Sequence, residues 1–430
     1  MKKQLLLFVL TLLPMLANAD AVVIDGIYYN LIAKGNAAEV TFKMNDLEYY
    51  HGDMVIPAKV SYEGTEYDVT AIGEGAFSGC RNLTSIIISE GVKSIKKDAF
   101  GDCRGLTTVT IPKSLNYVGD AFGNCFSLCT INISDLDAWF DIEFVSGIGG
   151  SNLDGETKLF LNGDEVKDVI IPDRITAIPD LLFCYISSIT SLTFHEKVRK
   201  IGDYAFSGCK GLKSLLIPES VDSLGRDAFS RCTNLQTINI PSGIKEIPPF
   251  AFSGCESLKT IELPSNVERI GRSALAGCSG LISITFPDKI STIQDWTVSG
   301  CSSLVSVIIG SKVTRICSEA FAYCPKLKDF YCYAEVVPVL FGDDPFKDSY
   351  IEYTTLHVPA ELVDAYKAAE RWNNFKEIIP LTEDDPKATA ITAVMRSDKK
   401  DGLYYDLSGR KVIQAQKGIF IQNGKKVIVK

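Results

Sequence analysis

The sequence predicts a β-rich solenoid of about ten leucine-rich, 23-residue units, each contributing one short parallel strand. Three observations carry this prediction. Cysteines recur at a fixed spacing, an Ala-Phe pair stands at a constant distance before most of them, and an apolar pair two residues apart follows and ends in proline. A chain of 430 residues with 46% hydrophobic residues would otherwise suggest two or three globular domains, but internal repetition overrides that prior.

The cysteine spacing sets the period. Cys209, Cys232, Cys255, Cys278, Cys301 and Cys324 are separated by five successive intervals of 23 residues, and Cys80, Cys103 and Cys125 precede them in the same pattern. The unit Ile201-Gly202-Asp203-Tyr204-Ala205-Phe206-Ser207-Gly208-Cys209 continues through Leu212, Leu215, Ile217-Pro218, Val221 and Leu224. The next unit repeats it with Ala228-Phe229, Cys232, Leu235, Ile238, Ile240-Pro241, Ile244 and Ile247. A degenerate copy around Phe183 places Ile186 where cysteine would stand. The pair Ile238 and Ile240 has the period of a strand, and Pro241 ends it by removing a ladder donor. Parallel stacking advances about 4.8 Å per unit, so ten units span roughly 50 Å in an elongated, curved body. No unit buries its apolar side chains alone, so both ends of the stack need caps.

Thirteen cysteines would ordinarily signal disulfides if the chain is exported. In-register cysteines point the same way in successive units, which fits buried thiols acting as small hydrophobes. Specific bridges are worth testing only for the off-register Cys129, Cys184, Cys317 and Cys332. No metal site is expected, since no C-x-x-C pair occurs and His51, His195 and His357 are the only histidines.

A hydroxyl precedes the strand core in successive copies: Ser85, Thr108, Thr130, Ser191, Ser214, Thr237, Thr260, Ser283 and Ser306. Alternation places these on the open face of the sheet. Beside them runs a variable column of Ile87, Thr110, Asn132, Thr193, Leu216, Asn239, Glu262, Thr285 and Ile308. One reading is a ligand track with specificity in the variable column. The other is crowding, in which small β-favouring side chains satisfy one another. The candidate ligand contacts are Thr110, Asn132, Trp139, Thr193, Asn239, Glu262 and Thr285. Trp139 equally fits a plug between neighbouring turns.

The boundaries follow from the pattern. Met1-Lys2-Lys3, the apolar run Leu5 to Leu16 and Ala17-Asn18-Ala19 read as a signal peptide over residues 1–19. Residues 20–70 form an N-terminal β cap with hairpins at Asp25-Gly26 and Glu63-Gly64, and Val55-Ile56-Pro57 already carries the strand ending. Repeats fill 71–133 and 169–332, broken by an insert over 134–168 that holds Trp139 and an Asn162-Gly163 hairpin signal. Residues 333–382 form a C-terminal cap, with Leu356-His357-Val358-Pro359 imitating the strand and Glu361 to Trp372 a short amphipathic helix. A polar linker over 383–402 leads to four short strands within 403–430.

Function classes are bounded in the same way. A formal charge of −9 disfavours nucleic-acid binding, which needs a concentrated basic surface. No transmembrane segment is expected in the mature chain. No cofactor is expected either, because no phosphate loop, G-x-S-x-G elbow or H-E-x-x-H motif occurs. The sequence therefore reads as a non-enzymatic scaffold, monomeric, with extracellular proteins or glycans as partners. A hydrolase is the remaining alternative, and it lacks a recognisable carboxylate pair.

The motif Ile-Gly-x-x-Ala-Phe-x-x-Cys-x-x-Leu-x-x-Ile-x-Ile-Pro, intact from Ile201 to Pro218, resembles the BspA-like leucine-rich repeats of bacterial surface proteins. The resemblance spans about residues 55 to 380, with Phe replaced at Leu275 and Val298. It implies a leucine-rich repeat fold, a secreted or cell-surface location, and adhesion to host matrix proteins or other bacteria. The tail Tyr405-Asp406-Leu407-Ser408-Gly409-Arg410-Lys411-Val412 is similar to C-terminal sorting tails of Bacteroidetes exported proteins, which implies type IX secretion and outer-membrane attachment.

Overall fold

The structure, a computed structural model, describes residues 21–42, 50–148 and 157–386, together with the backbone of strands at 404–405, 411–412, 418–422 and 425–429. The expected signal peptide, most of the expected linker and the turns of the terminal β segment lie outside the described residues. The chain divides into two compact units, 1–128 and 129–430.

In the first unit, Val22–Ile24 and Ile27–Ile32 form a hairpin in which Ile24 faces Ile27. Asp25 and Gly26 have φ of 49° and 80°, and Glu63 and Gly64, joining Lys59–Tyr62 to Thr65–Ile72, have 49° and 78°. Positive φ at both central residues is the type I′ turn whose twist matches the flanking strands. Gly52–Ile56 then pairs in parallel with Leu83–Ile88, which pairs with Thr108–Ile111. The N-terminal β cap thus supplies the first rung of the repeat ladder.

Each turn adds a second, two-residue strand to the expected one. Ala71-Ile72, Ser94-Ile95 and Tyr117-Val118 stack in parallel in the first unit. In the second unit Ala177-Ile178, Lys200-Ile201 and Ser223-Leu224 do the same. The third side of each turn is the Gly-x-x-Ala-Phe-x-x-Cys segment. Tyr204 and Gly208 adopt left-handed φ of 56° and 72°, so successive N–H groups point alternately along the stack and into the turn. The N–H groups of Tyr204, Phe206 and Gly208 donate to the carbonyls of Arg226, Ala228 and Ser230 at 2.8, 2.9 and 2.7 Å. Those of Ala205, Ser207 and Cys209 bond within the turn, which leaves no buried donor unpaired along this segment.

The core of the second unit is a set of columns. Phe183, Phe206, Phe229 and Phe252 stack face to face with centroids 5.9, 5.6 and 5.7 Å apart. Leu212, Leu235, Leu258, Leu281 and Leu304 run beside them, fully buried. Phe77, Phe100 and Phe122 stack in the same way in the first unit, at 5.1 and 5.0 Å.

The insert continues the ladder despite its broken period. Lys158–Leu161 pairs in parallel with Thr130–Ile133, placing Leu159 against Ile131, and folds back through Asn162-Gly163 onto Asp164-Glu165. Its helix, Leu136–Trp139, starts at Asp135, whose carboxylate accepts from the N–H groups of Asp137 and Ala138 at 2.8 and 3.1 Å.

At the C-terminal end the expected helix is shorter than its pattern suggested. A 3-10 turn at Ala360–Leu362 leads into Val363–Ala368, which stops where Ala369 turns extended (ψ 128°). Tyr366 and Trp372 are buried, and one further strand, Glu377–Pro380, pairs with Thr355–Val358. The small terminal segment forms a four-stranded antiparallel sheet.

Candidate binding surface

The strand ladder determines which side chains reach the open face. In the first unit, Val55, Ile87 and Thr110 share one column in register. Val55 and Ile87 are exposed, although both are apolar. Asp53 accepts hydrogen bonds from the Thr84 and Ser85 hydroxyls at 2.7 and 2.6 Å, and these hold its carboxyl below the usual carboxylate range. Here a hydroxyl of the expected ladder serves a neighbouring strand. Ser191 does the same, donating to Asp168 at 2.5 Å.

In the second unit Thr193, Leu216, Asn239, Glu262 and Thr285 fall at 23-residue intervals on successive turns, and Asn132 occupies the same strand position before the insert. Thr193, Leu216 and Glu262 are exposed, Leu216 to 59%. Asn239 is half-buried and its amide is engaged: Nδ2 donates to the Ile217 carbonyl at 2.8 Å and Oδ1 accepts from the Ile217 N–H at 2.7 Å. That pair stitches two turns together, as a missing backbone rung would. Thr285 is only 4% exposed, and Ile308 beyond it 7%. The surface offered to solvent in this column is therefore Thr193, Leu216 and Glu262, with Asn239 between them.

Trp139 does not reach the open face. It is 2% exposed, tilts against Phe144 at 5.2 Å and donates from Nε1 to the Leu182 carbonyl at 3.0 Å. Phe140 beside it meets Phe183 edge-on at 5.7 Å, which places both Trp139 and Phe140 in the core. An apolar ring with one donor gains more by filling that space than by facing water.

The far end of the open face is covered by the chain itself. Tyr333 donates its hydroxyl to the Pro386 carbonyl at 2.9 Å, and the N–H of Leu381 donates to Val358 at 2.7 Å. His357 stacks on Tyr331 at 4.2 Å, places Nε2 3.1 Å from Asp329 and Nδ1 3.9 Å from Asp385. Burial, then the Asp329 and Asp385 charges, push the Tyr331 hydroxyl up to about 12. Nothing in the repeat pattern announced this contact, because Asp385 and Pro386 fall in a polar stretch expected as linker.

The buried ladder thiols are held in the protonated form. Burial pushes Cys232, Cys278 and Cys324 up to about 12, whereas a reactive thiolate needs a lowered pKa. Among the described residues no group of three or more His, Cys, Asp or Glu is placed to hold a metal ion. Among them, too, no helix is long and apolar enough to cross a membrane.

Parallel ladders, a 23-residue turn and buried Leu, Phe and Cys columns define a leucine-rich repeat solenoid. The chain belongs to the BspA type leucine rich repeat family, whose model matches residues 64–141, 156–281 and 234–352 in six copies. Among solved structures, a leucine rich cell surface protein from Faecalibacterium prausnitzii A2-165 is similar. It is 24% identical, the match covers 85% of this chain and 95% of that one, and the TM-score is 0.53, a likeness of fold. A leucine-rich repeat protein from Bacteroides ovatus ATCC 8483 is 25% identical over 75% of this chain and 99% of its own, with a TM-score of 0.37. The pneumococcal vaccine antigen PcpA is 18% identical over 84% and 98%, with a TM-score of 0.45. No curated protein matches the sequence.

Proposed function

We propose that this protein is a non-enzymatic, exported binding scaffold that recognises proteins outside the cell, as an adhesin does, through the open face of its second unit. One observation carries the reading. At one position in each 23-residue turn the side chain changes from Thr193 to Leu216, Asn239 and Glu262, and three of these four are exposed. Leu216, 59% exposed, turns apolar surface to solvent that a partner would remove from water. Support for the location comes from the signal-like residues 1–19, the sorting-like tail 403–430 and the name of the similar cell surface protein.

The test uses the full chain immobilised against a panel of extracellular matrix and bacterial surface proteins. A specific partner is expected, and Leu216→Glu with Glu262→Lys should abolish its binding while leaving the thermal melt unchanged. Failure of every panel member to bind, or binding that the double variant leaves intact, overturns the reading.

A further inference from the structure

A second surface lies along the Gly-x-x-Ala-Phe side of the second unit, away from the strand ladder just described. Tyr204, Phe250 and Trp296 occupy the same position in alternate turns, and all three adopt left-handed φ, of 56°, 59° and 54°. Bulky aromatic residues are seldom found there, because the conformation strains any side chain with a Cβ. Core packing does not explain them: Trp296 is 40% exposed, and Tyr204 and Phe250 are half-buried. The left-handed φ is the repeat's own, shared at this position by Asp227, Ser273 and Glu319 at 54°, 54° and 51°. What distinguishes the alternate turns is a partly exposed aromatic ring where the others carry a small or charged side chain, and that points to recognition.

Phe250 holds two guanidinium groups. Arg226 and Arg272, from the turns before and after, each sit 5.3 Å from its ring centroid. Arg226 also pairs with Asp227 at 3.2 Å. Arg272 has no carboxylate partner among the described residues. The Phe250 N–H donates to the Arg272 carbonyl at 3.1 Å, and the Ser273 N–H to Asp295 at 2.9 Å, so Arg272 belongs to the turn between Phe250 and Trp296. At about 4.8 Å per turn, the two aromatics stand roughly 10 Å apart with the guanidinium between. The adjacent Glu319 is held by Lys347 at 3.3 Å, and Asp295 accepts from the Ser318 N–H at 3.0 Å.

We infer that this edge binds an acidic polysaccharide, with a uronate carboxylate on Arg272 and a neighbouring sugar ring against Trp296. A guanidinium already fixed by stacking loses little freedom on binding and presents parallel donors that match a carboxylate. The indole supplies a flat apolar contact with a polar edge. Repetition along one line suits a polymer of repeating units. The chain's net charge of −9 opposes long-range attraction of polyanions, so recognition rests on these local contacts.

The experiment is affinity electrophoresis of the full chain in gels containing polygalacturonate, hyaluronan, neutral xylan or poly-glutamate. Retardation by the two uronate polymers is expected. Trp296→Gly should weaken it about tenfold or more; glycine keeps the left-handed φ without strain, and an unchanged urea midpoint separates loss of binding from loss of fold. Arg272→Gln should weaken it by about tenfold or more as well. Absence of retardation by either uronate polymer overturns the inference, as does retardation that both variants retain. Equal retardation by xylan insensitive to Arg272→Gln, or by poly-glutamate, also overturns it.

Discussion

The thiol of Cys255 donates to the carbonyl of Phe229 in the preceding turn, 26 residues earlier in sequence and 3.2 Å away in space. The same contact joins Cys209 to Phe183, Cys232 to Phe206 and Cys278 to Phe252, at 3.1 to 3.2 Å. Cysteine at this position therefore does two jobs. It fills a fully buried space and satisfies a carbonyl lone pair in the preceding turn. Cys255→Ala removes both and should destabilise the chain by about 1–2 kcal/mol, read from the urea midpoint. Cys255→Ser keeps a donor and should cost less. Equal losses for the two variants would show that volume alone matters.

The same thiols make stability depend on alkaline pH. Cys232, Cys278 and Cys324 are raised by burial from an ordinary 9.0 to about 12 in the folded state. Above pH 9 the unfolded chain releases protons that the folded chain keeps, so ν_U falls below ν_N and stability falls as pH rises. The contribution is fully present below 9.0 and is lost progressively toward about 12. Thermal melts should give an unchanged Tm between pH 7 and 8.5 and a falling one above pH 9, with the fall reduced in a variant carrying Cys232→Val and Cys278→Val. A Tm that holds through pH 10.5 would contradict the buried-thiol account.

Two glycines separate the reasons for which the turn uses that residue. Gly277 has φ of 72°, and a Cβ there would meet only ordinary contacts at 3.7 Å from Gly254. Gly277→Ala should therefore cost about 1–2 kcal/mol, the left-handed penalty alone. Gly211 has no positive φ, yet a Cβ would lie 2.2 Å from the Ile189 carbonyl of the neighbouring turn. Gly211→Ala must push two turns apart and should be the more damaging by a clear margin. Urea melts of both variants side by side check the order.

How much of this was legible follows from what each feature depends on. Ala228-Phe229 and Cys232 announce their burial because the same environment recurs every 23 residues. The paired hairpin glycines, Gly26 and Gly64, carry their φ in their identity. The second strand at Ser223-Leu224 has two residues, too few for any alternating pattern to show. The Arg226, Phe250 and Arg272 sandwich joins residues 24 and 22 apart, close only once the turn length is fixed. Tyr333 and Pro386 meet through a tertiary path of 53 residues that no local rule anticipates. Of the open-face column, sequence alternation placed Thr193 and Glu262 correctly outward, but it carries no information on what later covers a position such as Thr285.

Trp139 gives the sharpest separation between packing and recognition. Its indole is 2% exposed, and its Nε1 donates to the Leu182 carbonyl at 3.0 Å. Trp139→Ala opens a large void in a core that cannot collapse freely, because Phe140 and Phe183 are tied to the same turns, and should cost about 3–5 kcal/mol. Trp139→Phe refills most of the volume and leaves the Leu182 carbonyl without its donor, for about 1–3 kcal/mol. Neither change touches Leu216 or Glu262, so a protein partner bound at the open face should bind Trp139→Phe as it binds the parent at a temperature where both are folded. If Trp139→Ala instead left the urea midpoint unchanged and abolished binding, the indole would be a ligand contact and the insert would have to open in solution.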